Sequence, residues 1–184
     1  MIFGEVSLDK AQGCILAHSV RLPDARLKKG LRIGVKEIAQ LRDANLTSVV
    51  AARLEPGDIH EDEAAKRVVE FIRGDHLDTT DPFTGRVNLS ALVDGIFVAD
   101  TRKIIDTNHI DEGVTIATLP PYSRVRIGQL VATVKIIPFA VSDASLLKLK
   151  ATAAADRLRL DVYPFQPKRV SLILSRLPGD TDKL

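Results

Sequence analysis

The apolar positions change period several times along the chain, and each change predicts an element. Val35, Ile38, Leu41 and Leu46 recur near helical spacing after the turn Lys28-Lys29-Gly30. Asn45 stands where a left-handed C-terminal cap belongs, a conformation that asparagine tolerates. Ser48-Val49-Val50-Ala51-Ala52 then has the β-branched content of a short buried strand. Asp58-Ile59-His60-Glu61 has the Asp-x-x-Glu spacing of a capping box, with Glu61, Asp62 and Glu63 placed for a helix N-terminus. The helix it opens carries Ala65, Val68, Val69 and Ile72 on one face and stops at Gly74.

On either side of this unit the pattern shifts toward strands. Ser7 reads as the cap of an opening helical turn and Gly13 as its stop, with a strand over 15–22 ending at Pro23. Residues 75–81 are polar and read as a loop or an edge strand. A boundary between lobes falls there or at Pro56-Gly57. Asp94-Gly95 between two apolar runs predicts a hairpin of 89–93 with 96–99. A two-turn helix over 101–108, capped by Asp100 or Thr101, turns Ile104 and Ile105 inward. A strand over 114–119 stops at Pro120-Pro121, and a long strand covers 129–141 after the Gly128-Gln129 turn. Ser142 caps a helix to about Ala155 with Leu146, Leu147, Ala151 and Ala154 on its buried side; strands over 158–162 and 170–174 follow. The expected class is α+β: mixed sheets, a β-rich second half, and short helices packed on the sheets.

Composition narrows the function classes. Of 184 residues, 26 are basic and 24 acidic, interleaved along the chain, and aromatics make up 4%. Without a basic run or stacking aromatics, the chain is not expected to bind nucleic acid. The single cysteine, Cys14, excludes an internal disulfide and a multi-cysteine metal site, and its apolar surroundings predict a buried thiol. The apolar run 131–141 is too short to span a bilayer and contains Lys135 and Pro138. Met1-Ile2-Phe3-Gly4-Glu5 lacks the start of a signal peptide, so the expected location is cytoplasmic.

Three groups of residues are candidates for ligand chemistry. Thr84, Gly85, Arg86 and Asn88 bring a hydroxyl, a backbone amide, a guanidinium fork and a side-chain amide together, a set suited to an anionic group or to a polar turn. Asn108 and Lys135 form the second, with the Leu119-Pro120-Pro121 corner. Lys135 interrupts an apolar strand and faces either solvent or a phosphate-binding cleft. Asp58, Glu61 and Asp62 form the third, either as Mg²⁺ ligands beside a phosphate or as a helix start. His18, His60, His76 and His109 stand in unrelated contexts and read as surface or capping residues. No phosphate loop, nucleophile constellation or metal motif is present, so no catalytic residue is assigned.

Several stretches carry a family resemblance. Leu8-Asp9-Lys10-Ala11-Gln12-Gly13 with Leu16-Ala17, the Lys28-Lys29-Gly30 unit and its helix and strand resemble the molybdopterin molybdenumtransferases. Glu61–Ala65, Thr84–Leu89 and Val131–Val141 are similar to the N-terminal part of molybdopterin-binding proteins, and 170–180 resembles the opening of their pterin-binding domain. The Ser90-to-Ile96 stretch echoes that family's Ser-Ala-Met-Asp-Gly-Tyr-Ala element with one extra residue and in a different order, so Asp94 is read as a turn residue.

The resemblance implies a molybdenumtransferase-like α/β lobe over 1–74 and a β-rich lobe over 75–168. Residues 169–184 would be the first strand of a truncated molybdopterin-binding domain, or else a simple sheet-completing strand. It further implies a non-catalytic N-terminal part that binds or presents molybdopterin, by shaping an inter-domain cleft or a homodimer interface, with a downstream molybdopterin-binding domain as partner. The alternative is an oligomerisation or interaction scaffold without its own ligand. A third reading is an independent enzyme using the carboxylates of residues 58–63 with Mg²⁺.

Overall fold

A computed structural model describes residues 1–155 and 157–173 and shows an α+β protein with five small sheets. In chain order the elements are β1 (Ile2–Ser7), β2 (Ile15–Leu16), β3 (Val20–Arg21), β4 (Arg26–Leu27), α1 (Val35–Asp43), β5 (Ser48–Arg53) and β6 (Asp58–His60). Then come α2 (Glu61–Ile72), β7 (Leu77–Thr79), β8 (Arg86–Ala91), β9 (Gly95–Val98), α3 (Thr101–Asn108) and β10 (Val114–Thr118). The chain continues through β11 (Arg124–Val125), β12 (Leu130–Ile136), β13 (Ala140–Ser142), α4 (Asp143–Ala155) and β14 (Asp161–Pro164).

The first core is built on β5, flanked by β1 and β2. Ser7 begins a short 3-10 turn over Leu8–Lys10, but the strand β1 precedes it where the sequence predicted only the turn. The single strand expected over 15–22 is two, because Leu16 pairs its backbone with Gly30 and Leu31 while Val20 and Arg21 turn into a hairpin with β4. Leu41 is the fully buried residue of α1, Ile38 is half-buried and Val35 is 70% exposed, since the helix starts at Val35 before its face meets the core. Asn45 has the left-handed φ of 60° expected of it. Cys14 is buried in this core beside Leu16 and Leu41, and its thiol donates to the Lys10 carbonyl.

The second core holds the sheet β10-β12-β8-β7, the sheet β11-β9-β14 and the helices α2, α3 and α4. Ala64, Ala65, Val68, Val69 and Ile72 of α2 are all buried in it, so this helix belongs with the second half and the change of core falls at Pro56-Gly57. Residues 75–81 contain the edge strand β7, inside the second core. A bulge in β12 between Leu130 and Ala132 lets Val131 and Ala132 both point inward. Phe139, in the link from β12 to β13, packs instead on Ile15, Ala17 and Ala52 of the first half and ties the two cores together.

Five further expectations are corrected here. The long strand over 129–141 divides into β12 and β13 around Pro138, and β13 leaves to pair with β6. The β6 pairing keeps residues 58–60 extended, so Asp58 cannot cap α2. His60 is the cap instead, its Nδ1 accepting the Asp62 amide at 3.3 Å. The strands around Asp94-Gly95 do not form a hairpin: β8 pairs with β7 and β12, while β9 crosses to pair with β11 and β14. Ile105 of α3 is 48% exposed, leaving Ile104 and Thr107 as its buried residues. In α4, Ser142 does cap the helix, but the buried face is Leu146, Leu149 and Ala153, with Leu147, Ala151 and Ala154 exposed.

The strand expected over 158–162 begins later, as β14 (Asp161–Pro164), and Leu158 and Leu160 are buried ahead of it, with Val162 buried within it. Val170, Leu172 and Ile173 are exposed and belong to no strand, and the rest of the strand expected to Leu174, with the following Pro178-Gly179-Asp180-Thr181 turn, lies outside the described residues. Among the described residues no helix is long and apolar enough to cross a membrane.

Candidate functional site

Between the two cores lies a cleft of about 580 Å³. Met1, Phe3 of β1 and the Lys29-Gly30 turn form its first wall. Opposite stand Glu61 at the start of α2, Thr84 in the turn before β8, and Lys135 on β12, while Ile137, Pro138 and Phe139 form the floor.

The strand pattern itself aims Lys135 here. Val134 and Ile136 point into the second core, so alternation sends Lys135 to the opposite face, toward the first half. Its ammonium donates to the Thr84 carbonyl and stands 3.9 Å from Glu61 Oε2. Glu61 is only 8% exposed, and among the described residues its carboxylate accepts no hydrogen bond. Burial pushes its pKa above the usual carboxylate range, and Asp62 pushes the same way; the positive charge of Lys135, with His60 and Lys29, pulls it back. Lys29 supplies the second ammonium, 5.4 Å from the centre of the Phe139 ring.

Gly85 fixes the turn that carries Thr84. Its amide donates to Asp62 Oδ1 at 2.6 Å and its carbonyl accepts from the Ile136 amide at 2.7 Å. Its φ is +70°, and a Cβ there would stand 2.8 Å from both Glu61 Oε2 and the Ile136 carbonyl oxygen. Only glycine combines that conformation with so close an approach.

The structure thus brings Thr84, Gly85, Lys135 and Glu61 together from the sequence candidates. The others serve elsewhere. Arg86 sits opposite Lys135 in the β8–β12 register, with its side chain exposed beside the cleft rather than lining it. Asn88 accepts from the Thr133 hydroxyl across the sheet at 2.9 Å. Asn108 is remote: its side-chain amide donates to the Ile116 carbonyl at 3.0 Å and accepts the Ile116 amide at 2.9 Å, covering the open edge of β10. Asn108→Ala leaves both backbone groups unpaired and is expected to cost about 1–3 kcal/mol in chemical denaturation. Ligand binding at the cleft should be unchanged in that variant; a loss of binding without a loss of stability would place Asn108 in the site after all.

The proposed Mg²⁺ trio is also divided. Asp58 accepts the Glu55 amide at 2.7 Å and pairs with the Met1 ammonium at 2.8 Å. That backbone hydrogen bond, with the ammonium, holds its pKa below the usual range, and Asp58 in turn raises that of the Met1 ammonium. Asp62 is taken by the Gly85 amide, and Glu61 alone faces the cleft. Among the described residues no group of three or more carboxylates, histidines or cysteines is placed to hold a metal ion.

Lys29, Phe3, Ile137 and Phe139 were not legible as site residues. Lys29 reads as part of a turn, Ile137 and Phe139 as part of a long strand, and Phe3 only as part of a start unlike a signal peptide. Only the docking of the 137–139 link against the first half brings them together. Compared with known proteins, the chain matches no family model and no curated sequence.

Proposed function

We propose that this chain is the non-catalytic N-terminal part of a cytoplasmic, molybdenum-cofactor-handling protein, and that its cleft helps to hold molybdopterin. The observation that carries the reading is the cleft itself, where two ammoniums and one buried carboxylate meet an apolar floor between two cores. A phosphate-bearing ring system suits that arrangement: lysines act as point charges for the phosphate, and Phe3, Ile137 and Phe139 offer apolar surface to the ring. The polar groups on the walls form a binding set, which is why the reading is non-catalytic. The sequence resemblance at Glu61–Ala65, Thr84–Leu89 and Val131–Val141 supplies the identity of the ligand, and all three stretches contribute wall residues. Mg²⁺ held by Asp58, Glu61 and Asp62 is not part of the proposal, because those carboxylates face different partners.

Isothermal titration of the chain with molybdopterin tests it. Saturable heat that disappears in the double variant Lys29→Met, Lys135→Met is expected. No heat from this chain or from a longer form of it would overturn the reading.

A second reading, an interaction scaffold without a ligand, is favoured by the groove around Ile96 and Val98, where Tyr122 is 76% and Tyr163 63% exposed. Light scattering separates the two: a stable homodimer that Tyr163→Ser dissociates, with no molybdopterin heat, would favour the scaffold.

A further inference from the structure

The cleft combines features that a plain anion site does not need. Lys135 and Lys29 are its cations, and the Met1 ammonium, on the wall with Lys29, is already held by Glu55 and Asp58, each at 2.8 Å. Between the lysines stands the carboxylate of Glu61, a residue only 8% exposed that lines the cleft. An anion drawn to Lys135 arrives within a few ångströms of Glu61, because the two charged groups are themselves 3.9 Å apart. Two negative charges that close, one of them on a residue only 8% exposed, cannot both persist cheaply.

We propose that the cleft takes a small organic anion with a flat apolar body, and that one proton passes from solvent onto Glu61 as the anion enters. The inference rests on the cleft being a ligand site, as proposed above. Neutral Glu61 changes from a repelling charge into a hydrogen-bond donor toward the anion. The charged groups that face it set how readily this happens. Lys135 from β12 and Lys29 from the turn after β4 favour the ionised form, as does His60 from its own segment; Asp62 on the first turn of α2 opposes it. Burial already tilts Glu61 toward the neutral state, so the anion completes a change the fold has begun.

The sign follows from linkage. Binding of the anion raises the Glu61 pKa further, so affinity is highest below the pKa of the free protein. It falls as pH rises through the window between free and bound values, then levels.

Naphthalene-2-sulfonate is a suitable probe because it stays anionic throughout, so any pH dependence belongs to the protein. Calorimetric titration between about pH 4 and pH 8 should show affinity falling about tenfold, the equivalent of one unit of pKa coupling. The heat should also depend on the buffer, as proton uptake requires. Glu61→Gln should bind at the upper pH as tightly as the native chain does at the lower, with a flat profile. Lys135→Met should bind about tenfold more weakly at the lower pH, with its fall in affinity moved to higher pH because a cation that favours ionised Glu61 is gone. Thermal unfolding of each variant verifies that it is folded. A flat profile in the native chain, or a slope that survives in Glu61→Gln, overturns the proton coupling and leaves the cleft reading standing. Absence of binding, or binding indifferent to both variants, overturns both.

Discussion

Phe97→Ala is expected to be among the most damaging single substitutions, costing about 3–5 kcal/mol. The ring is completely buried and is the largest of the fully buried side chains. It lies on β9, the middle strand of its sheet, with Val162 of β14 opposite it on one side. On the other side its amide donates to the Ser123 carbonyl and its own carbonyl accepts from the Tyr122 amide. Because the backbone is fixed on both edges, the cavity left by the ring cannot collapse. Domains of this size have total stabilities of roughly 5–15 kcal/mol, so the loss is a large share of the whole. Urea denaturation followed by circular dichroism measures it, and the thermal midpoint should fall by roughly 6–20 °C. Phe3→Ala is the control: that ring is 56% exposed on β1, so stability should change little while cleft binding weakens. A cost below about 1 kcal/mol at Phe97 would mean that the second core is not closed around β9.

What could be read from the chain alone was what neighbouring residues decide among themselves. The helix over 101–108 appears with the bounds and the Asp100 cap that its sequence signals, and Ser142 caps α4. The strand at 48–53 and the face of α2 follow from β-branched content and helical spacing, both local properties. The misreadings occur where a distant segment overrides a valid local signal. Asp58 and Glu61 have capping-box spacing, yet pairing of 58–60 with β13 holds the backbone extended and moves the cap to His60. The buried face of α4 depends on where α2, α3 and β13 lie, which Leu147, Ala151 and Ala154 cannot reveal.

The site was legible in the same partial way. Lys135 stood out because a charge in an apolar strand must face something, and Thr84-Gly85 because a polar turn with glycine must bend sharply. Glu61 belongs to an acidic cluster in the sequence; its place in the cleft facing Lys135 separates it from Asp58 and Asp62, which are held by other partners. Asn88 and Asn108 look alike as ligand candidates, but each satisfies a polar group of the fold. No spacing rule connects Lys29 to Lys135. They meet because Phe139 anchors the link after β12 on the first half.

Gly95→Ala is expected to cost about 3 kcal/mol or more, and the size of the loss discriminates between two reasons for that glycine. If Asp94-Gly95 were a hairpin turn, glycine would be needed for its conformation, and alanine would cost about 1 kcal/mol. In the structure the need is spatial: a Cβ at Gly95 would stand 2.1 Å from the Tyr163 carbonyl oxygen and 2.8 Å from Val162 Cγ1. The obstacle is mostly backbone and cannot rotate away. Nor can β14 retreat easily, for Leu160 exchanges backbone hydrogen bonds with Ile72 and Gly74 at one end, and at the other the Phe165 amide donates to the Asp94 carbonyl. The pairing of β9 with β14 must therefore open, which hydrogen exchange would detect as faster exchange in β14. Gly4→Ala gives the baseline, since a Cβ there meets nothing within 4 Å. A loss at Gly95 no larger than about 1 kcal/mol, with exchange in β14 unchanged, would return Asp94-Gly95 to a turn and remove β14 from its place beside β9.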